Sequence, residues 1–191
     1  MIRDAIDAGL GEATLDDEVI RPALQLVGDL WADGSLSIAE EHLATAISTH
    51  VVAILRDLFR LQRARTTHRV LLAAAEGERH VVGLEMAASL IEHAGYDVRH
   101  FGADLPVEDL ALAVEIHEPA VIGFTTATER TALNLPAAFD AVRERRPQAG
   151  ILVGGRGVDE AWATAWGVTV CHHVADAVDE VDALVRRAAH N

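Results

Sequence analysis

The 191-residue sequence has little cysteine, no long apolar run and no excess of positive charge. Its single cysteine, Cys171, excludes a disulfide framework within the chain, so we expect a reducing, cytoplasmic environment. No apolar run approaches the ~20 residues that cross a bilayer, and the first residues lack the apolar core of a signal peptide. The formal net charge of −14 argues against nucleic acid and anionic membranes as partners, because both require a basic surface.

Two kinds of apolar periodicity divide the chain into residues 1–65 and 66–191. The first part shows only helical spacing, with two long amphipathic helices expected over about residues 19–31 and 38–59 and a short one over 2–9. Gly34 supplies the turn between the long helices, and Ser37 caps the second with help from Glu40. Residues 60–68 are expected to link the two parts.

The second part alternates five strand patterns with helical patterns. A chain of this kind folds as a doubly wound parallel sheet with helices on both faces. We therefore predict an α/β, flavodoxin-like sheet of five parallel strands in the order 2-1-3-4-5, preceded by a helical bundle.

Three of the expected strands end in residues that suit a ligand site. The strand over residues 70–75 leads to Glu78 and His80, that over 120–124 leads to Thr125, and that over 150–153 leads to a glycine pair. In an open α/β sheet these ends share the edge where ligands bind. A neutral imidazole is a good metal ligand, and a carboxylate two residues earlier can fix its tautomer. The small residues at the other two strand ends leave a slot beside the sheet.

Three other kinds of ligand loop do not fit these strand ends. A dinucleotide site needs Gly-x-Gly-x-x-Gly after the first strand, where this chain has only Gly77 and Gly83. A phosphate loop needs Gly-Lys-Ser/Thr, which is missing. A phospho-receiver domain needs an aspartate where Thr125 stands.

The strand-end residues resemble the motif of the cobalamin (vitamin B12) binding domain over roughly residues 66–190. That motif is an acidic residue-x-His-x-x-Gly, then Ser/Thr-x-small or Leu, then Gly-Gly. The matching residues are Glu78, His80, Gly83, Thr125, Ala127, Gly154 and Gly155. Many members have aspartate where this chain has Glu78, and the longer side chain can still accept the imidazole proton.

The resemblance implies a role for each of these residues. His80 would replace the base of the nucleotide tail as the lower ligand of cobalt, and Glu78 would hold its second nitrogen. Thr125, Gly154 and Gly155 would line the slot that takes the displaced tail. Arg156, beside the glycine pair, either contacts a phosphate or propionamide edge of the ligand or is simply solvated.

A second motif lies in the helical part. Trp31, followed after nine residues by Glu41-His42, resembles the Trp-x9-Glu-His signature of the light-sensing branch that binds adenosylcobalamin. There these residues cover the upper face of the corrin. The alternative is that Trp31 is a core aromatic and Glu41-His42 a solvated helix turn. Some light-sensing relatives carry a second histidine directly after the tryptophan, where this chain has Ala32, so His42 is the remaining candidate for an upper nitrogen ligand.

The resemblance implies a cytoplasmic sensor, not an enzyme, in which light removes the upper ligand of adenosylcobalamin. With no basic surface, its output would pass through a homodimer or an unidentified protein partner. Some members of this branch pair B12 with a bilin such as biliverdin, which would be a second chromophore here. The alternatives are a corrinoid carrier subunit of a methyltransferase system and a B12 storage or delivery module.

The sequence Cys171-His172-His173 is a weaker candidate for a metal site. Adjacent residues of an extended chain point to opposite faces, so these three side chains are not expected to converge on one ion.

Overall fold

The computed structural model describes residues 2–59 and 66–188, in two compact units, Met1–Leu61 and Gln62–Asn191. The expected division at residue 65, and most of the expected linker over 60–68, lie outside the described residues. Across the described residues, no helix is both long enough and apolar enough to cross a membrane.

The first unit is a hairpin of two long helical segments preceded by a short helix. Its elements are α1 (Ile2–Asp7), α2 (Glu12–Leu15), a π-helical turn (Asp16–Ile20), α3 (Arg21–Ala32) and α4 (Ile38–Leu58). The capping box predicted at the start of α4 is confirmed. The Ser37 hydroxyl accepts from the amide of Glu40 at 3.3 Å, and the Glu40 carboxylate accepts from the amide of Ser37 at 2.8 Å.

The first long helix begins earlier than its apolar pattern predicts. Expected from about residue 19, it runs back to Glu12 through the π-helical turn. In that turn the amide of Arg21 donates to the carbonyl of Asp16, five residues earlier. Pro22 has no amide to donate, and the wider π-helical spacing occurs next to this missing donor.

The second unit contains the predicted five-stranded parallel sheet, and its strand order β2-β1-β3-β4-β5 confirms the prediction. The strands are β1 (Arg69–Ala74), β2 (Asp97–His100), β3 (Val121–Thr125), β4 (Gly150–Gly154) and β5 (Thr169–Cys171). The helices are α5 (Val82–His93), α6 (Val107–His117), α7 (Glu129–Ala132), α8 (Leu135–Arg145), α9 (Glu160–Ala165) and α10 (Ala177–Ala188).

The two faces of the sheet bury separate apolar clusters. Leu71 and Ala73 of β1 point into one cluster, whereas Val70 and Leu72 point into the other, as the two-residue period of a strand requires. Phe139 of α8, fully buried in the first cluster, packs against Phe124 of β3. Because helices cover both faces of the sheet, the ends of its strands are the part that can contact a ligand.

Strand register brings the three motif-bearing ends to one edge. Ala74 of β1 pairs with Thr125 of β3, and Thr125 pairs in turn with Gly154 of β4. Both pairings are parallel, so the loops that follow these three residues leave the same edge of the sheet side by side. We call them the β1 loop (residues 75–81), the β3 loop (126–128) and the β4 loop (155–159).

Candidate functional site

The centre of this edge is a buried carboxylate that holds an exposed imidazole. The Glu78 side chain is only 1% exposed, whereas that of His80 is 66% exposed. Glu78 Oε1 lies 2.5 Å from His80 Nδ1 and also accepts from the backbone amides of Arg79 and His80, each at 2.8 Å. The pairing of Glu78 with His80 expected from the motif is thus present in the structure.

The second oxygen of the same carboxylate bonds to residues that follow β3. Glu78 Oε2 accepts from the backbone amide of Ala127 at 2.6 Å and from the hydroxyl of Thr131 at 2.7 Å. Thr131 lies at the start of α7, 53 residues further along the chain. One carboxylate therefore connects the β1 loop to both the β3 loop and the helix that follows it.

These hydrogen bonds determine the ionisation of Glu78. Burial alone would raise its pKa, but the donors from His80, the Ala127 amide and Thr131 lower the pKa to about 2. Glu78 is therefore ionised at any physiological pH. An anionic carboxylate against Nδ1 keeps the imidazole proton on that nitrogen, which leaves the lone pair on Nε2. This is the tautomer that a metal ligand needs.

A cluster of threonine hydroxyls surrounds the Thr131 hydroxyl that bonds the Glu78 carboxylate. Thr131 Oγ1 lies 2.8 Å from the hydroxyl of the fully buried Thr126 and 2.9 Å from that of Thr128. Thr128 also caps α7 by accepting from the amide of Thr131. The motif pointed to Thr125, which ends β3 and accepts from the amide of Ala75 through its carbonyl. Thr126 and Thr131 were missed, and the signal for them was the density of threonines after the strand.

Glycines let the β4 loop pass directly against the β3 loop. Gly155 has φ +107°, and a Cβ there would collide with the carbonyl group of Thr126. A Cβ on Gly157 would lie 2.5 Å from the carbonyl oxygen of Thr128. Gly157 was not among the predicted site residues, although the spacing Gly-Gly-x-Gly contains it.

Gly154 and Gly83 are less constrained than Gly155. A Cβ on Gly154 would first meet the carbonyl oxygen of Cys171 at 3.4 Å, and one on Gly83 would meet nothing within 4 Å. The slot-lining role of Gly154 and Gly155 stays a prediction, and close loop packing is a further reason for glycine at Gly155. Open space beside Gly83 is compatible with a ligand approaching the start of α5.

The other residues at this edge are not drawn together as metal ligands. Arg156 is exposed in the β4 loop. At the end of β5, His172 Nε2 lies 3.4 Å from a Glu160 carboxylate oxygen, and Cys171 Sγ donates to the carbonyl of His173.

The cap motif forms a second carboxylate–imidazole pair in the helical unit. Glu41 Oε2 lies 2.5 Å from His42 Nδ1, and Glu41 Oε1 accepts from the hydroxyl of Thr45 at 2.9 Å. The His42 side chain is 74% exposed. Trp31 is 49% exposed, so it is not a core aromatic of its unit. Trp31 ends α3 and Glu41-His42 begins α4, which places all three at the same end of the hairpin.

A family model described as the B12 binding domain matches residues 68–182 of this chain. The chain belongs to the B12-binding domain family. A second model, also described as a B12 binding domain, matches residues 1–56. The first match covers the strands and loops that carry Glu78, His80 and the glycine pair. The second covers the helices that carry Trp31 and Glu41-His42.

Two kinds of protein occur among the curated relatives of this chain. The chain is 33% identical over 155 residues to the HTH-type transcriptional repressor CarH of Myxococcus xanthus, which covers 81% of this chain and 51% of that protein. It thus spans about half the length of that relative. It is 24% identical over 188 residues to trimethylamine corrinoid protein 2 of Methanosarcina acetivorans, covering 96% of this chain and 87% of that protein.

Solved structures confirm the fold. The monomethylamine corrinoid protein of Methanosarcina barkeri superimposes with a TM-score of 0.83 over 95% of this chain and 88% of that chain, at 15% identity. A cobalamin-binding protein from Desulfitobacterium hafniense gives a TM-score of 0.58 at 22% identity, over 96% and 89% of the two chains.

The residues of the sheet edge fit the cofactor that the family binds. A cobalt corrinoid can take a nitrogen donor from the protein, and a neutral imidazole would supply it. His80 is one exposed imidazole in the metal-binding tautomer, fixed by a carboxylate that is itself fully bonded. Cobalamin binding by this chain therefore agrees with both the family and the site.

Proposed function

We propose that this chain is a cobalamin-binding light sensor in which His80 is the lower ligand of cobalt and the helical unit covers the upper face. The observation that carries the proposal is the pair of carboxylate-held histidines, one in each unit, together with the exposed Trp31. Support for the sensor branch comes from the 33% identity to a transcriptional repressor over 81% of this chain. The chain itself catalyses no reaction in this proposal.

Each group at the lower side has a defined task. Adenosylcobalamin, when bound, supplies a cobalt–carbon bond that light can break. His80 offers Nε2 to the metal, and Glu78 keeps the proton on Nδ1. The Ala127 amide and the Thr131 hydroxyl hold Glu78 in place. Because these donors come from a strand end and a capped helix, the imidazole is positioned before any ligand arrives.

The helical unit is the part that responds. Trp31, Glu41 and His42 would contact the upper ligand and lose those contacts when it leaves. A ligand shifts a conformational equilibrium only through contacts that differ between the two states, and these three residues supply such contacts. The released surface would then change the association of the chain with a second copy or with a protein partner. His42, which the motif assigns to this face, would be the candidate nitrogen donor to cobalt once the upper ligand has left.

The deciding experiment is an absorption spectrum of protein loaded with adenosylcobalamin, recorded in darkness and after illumination, with the oligomeric state measured in both. A spectral change coupled to a change of mass is expected. Identical spectra and masses in dark and light would refute the sensor. The same scan, extended to the red, detects a bilin such as biliverdin, which we propose as a second chromophore.

Two substitutions assign the ligands. His80→Ala should abolish the spectrum of histidine-ligated cobalamin, whereas His172→Ala, at the end of another strand of the same sheet, should not. Unchanged spectra for His80→Ala would remove this residue from the cobalt. Trp31→Ala should change the preference among upper ligands while cobalamin stays bound. Equal loss of all cobalamins would instead indicate general damage to the helical unit.

The second candidate function is a corrinoid carrier for methyl transfer. It is favoured by the match to trimethylamine corrinoid protein 2 over 96% of this chain and 87% of that protein. A carrier needs its upper face open to partner active sites and needs no response to light. Transfer of a methyl group to the reduced corrinoid protein by a co-purified methyltransferase, with no dark–light difference, would establish this function in place of the first.

A further inference from the structure

One face of α4 carries apolar side chains that the described structure leaves in solvent. Leu43, Ile47, Ile54 and Leu58 are 62%, 56%, 45% and 63% exposed. At about 100° per residue they fall within roughly 60° of one another, along ~22 Å of helix. We call these four residues the α4 stripe. An apolar row of this length on a helix, with His50 beside its middle, indicates a surface that contacts something.

The stripe serves neither the core of its own unit nor the cap motif. The buried residues of α4 are Val52 and Leu55, at 3% and 1% exposure. They lie roughly 90–150° around the helix from the middle of the stripe. Glu41, which the family motif assigns to the ligand, is also on that other side. The stripe is therefore a third face of α4 with its own use.

The spacing of the stripe is the same when read from either end. Its residues are separated by four, seven and four positions, so they are symmetric about the point between His50 and Val51. A two-fold axis there would bring a second α4 alongside in the antiparallel direction. Every apolar residue would then meet an apolar residue, as an isologous interface requires.

We propose that α4 pairs with α4 of a second copy of this chain, antiparallel, with Leu43 opposite Leu58 and Ile47 opposite Ile54. A heterologous partner would not need a symmetric row, whereas a second copy does. Two such hairpins, packed through α4, form an intermolecular four-helix arrangement, which is a stable way to bury helices that have two apolar faces.

The area and the charges suit a reversible dimer. Each of the four side chains exposes ~100 Å², so pairing the stripes buries ~800 Å² in total, below the ~1,200 Å² of the smallest stable interfaces and in the range of weak, transient ones. Between residues 43 and 58, the ionisable side chains on or beside this face are His50 and Asp57. The register sets His50 opposite Val51 and Asp57 opposite Ala44 of the second copy, so no two carboxylates meet despite the net charge of −14.

The first test is sedimentation velocity of the full chain over a range of concentrations, in darkness and without cobalamin. The wild-type protein should dimerise. Ile54→Arg places a charge against Ile47 twice in each dimer and should raise the dissociation constant by ~100-fold. Leu112→Arg is the matched control, because Leu112 is 53% exposed on α6 of the other unit, and it should not change dimerisation. Leu58→Arg, near the end of the stripe, repeats the test should Ile54→Arg disturb folding, which circular dichroism reports.

The second test reads the direction of pairing by cysteine cross-linking in a Cys171→Ser background. Antiparallel pairing puts Leu43 of one copy beside Leu58 of the other and ~22 Å from Leu43 of the other. A mixture of Leu43→Cys and Leu58→Cys chains should therefore form a disulfide dimer, while neither chain should do so alone. Cross-linking of each chain with itself would mean parallel pairing and would overturn the proposal.

A monomer at all concentrations would equally overturn it. The result is separable from the proposed function, because the dimer is measured without cobalamin or light. Failure of cobalamin binding would leave this interface unaffected, and a monomer that binds cobalamin normally would refute only the α4 pairing.

Discussion

Replacing Glu78 with glutamine is the most direct test of how the site is held together. The change keeps the size of the side chain and removes its charge. Five groups donate hydrogen bonds to the Glu78 carboxylate. They are the amides of Arg79, His80 and Ala127, the His80 ring and the Thr131 hydroxyl. A glutamine amide presents N–H groups to one side, so at least one of these buried donors loses its acceptor.

The magnitude follows from the ionisation of Glu78. Its pKa falls from 4.5 to about 2 on folding, which corresponds to about 3 kcal/mol of stability at neutral pH. A carboxyl whose pKa is lowered by folding contributes fully above its unfolded pKa. The contribution is lost as pH falls from 4.5 toward 2. Glu78→Gln should therefore lower the free energy of unfolding by about 3 kcal/mol at pH 7, and the difference from wild type should shrink to roughly 2 kcal/mol by pH 3.5.

The assay is urea unfolding of cobalamin-free wild-type and variant proteins between pH 7 and pH 3.5. Glu76→Gln is the control, because Glu76 is an exposed carboxylate of the same loop and its loss should cost under ~0.5 kcal/mol. Two results would refute the reasoning. One is a loss below ~1 kcal/mol at pH 7, and the other is a difference between Glu78→Gln and wild type that does not change with pH.

Three further predictions concern the loops and the helical unit. Gly155→Ala should lower the free energy of unfolding by at least ~2 kcal/mol, because Gly155 has a positive φ and a Cβ there would collide with the β3 loop. Gly83→Ala is the control. It has open space at the start of α5 and should be neutral or stabilising. Thr131→Val should cost ~1–3 kcal/mol by removing a buried donor, and Thr131→Ser should restore most of it. Asp16 is 1% exposed with neither carboxylate oxygen bonded, and burial, then Glu12 and Asp17, raise its pKa from 3.8 to about 7. Because the pKa is raised in the folded state, ionising Asp16 destabilises the protein increasingly as pH rises from about 4 to 7. Asp16→Asn should therefore stabilise the protein by ~2–4 kcal/mol at pH 8 and have little effect at pH 4. Equal effects at both pH values would contradict this.

The sheet and the edge that carries the site were predictable because their signals are local. The strands that carry the site, β1, β3 and β4, are short apolar runs followed by polar residues or glycine, and parallel strands joined by helices have few allowed arrangements. Once the order 2-1-3-4-5 is fixed, the ends of β1, β3 and β4 must be neighbours. Glu78 and His80 are two residues apart, so their contact also needed no long-range information.

The rest of the site depends on contacts that leave no trace in a single sequence. The amide of Ala127 bonds Glu78, but every residue except proline offers the same donor, so no side chain marks the position. Thr131 reaches that carboxylate only because α7 begins where the β3 loop ends. The π-helical turn likewise lies next to Pro22, which has no backbone amide to donate, and no apolar pattern marks it in the sequence.

These contacts divide the molecule into a rigid part and a responsive part. Glu78 connects the β1 loop to the β3 loop, and Gly155 packs the β4 loop against the same segment, so the loop that carries His80 is held by contacts among three neighbouring strand ends. In the described part of the helical unit, α3 buries none of its residues and α4 buries only Val52 and Leu55. Elements with few buried contacts are the ones that rearrange at low cost. A change at cobalt is therefore expected to leave His80 in place and to be expressed through α3 and α4, where Trp31, Glu41 and the α4 stripe lie within the same two helices.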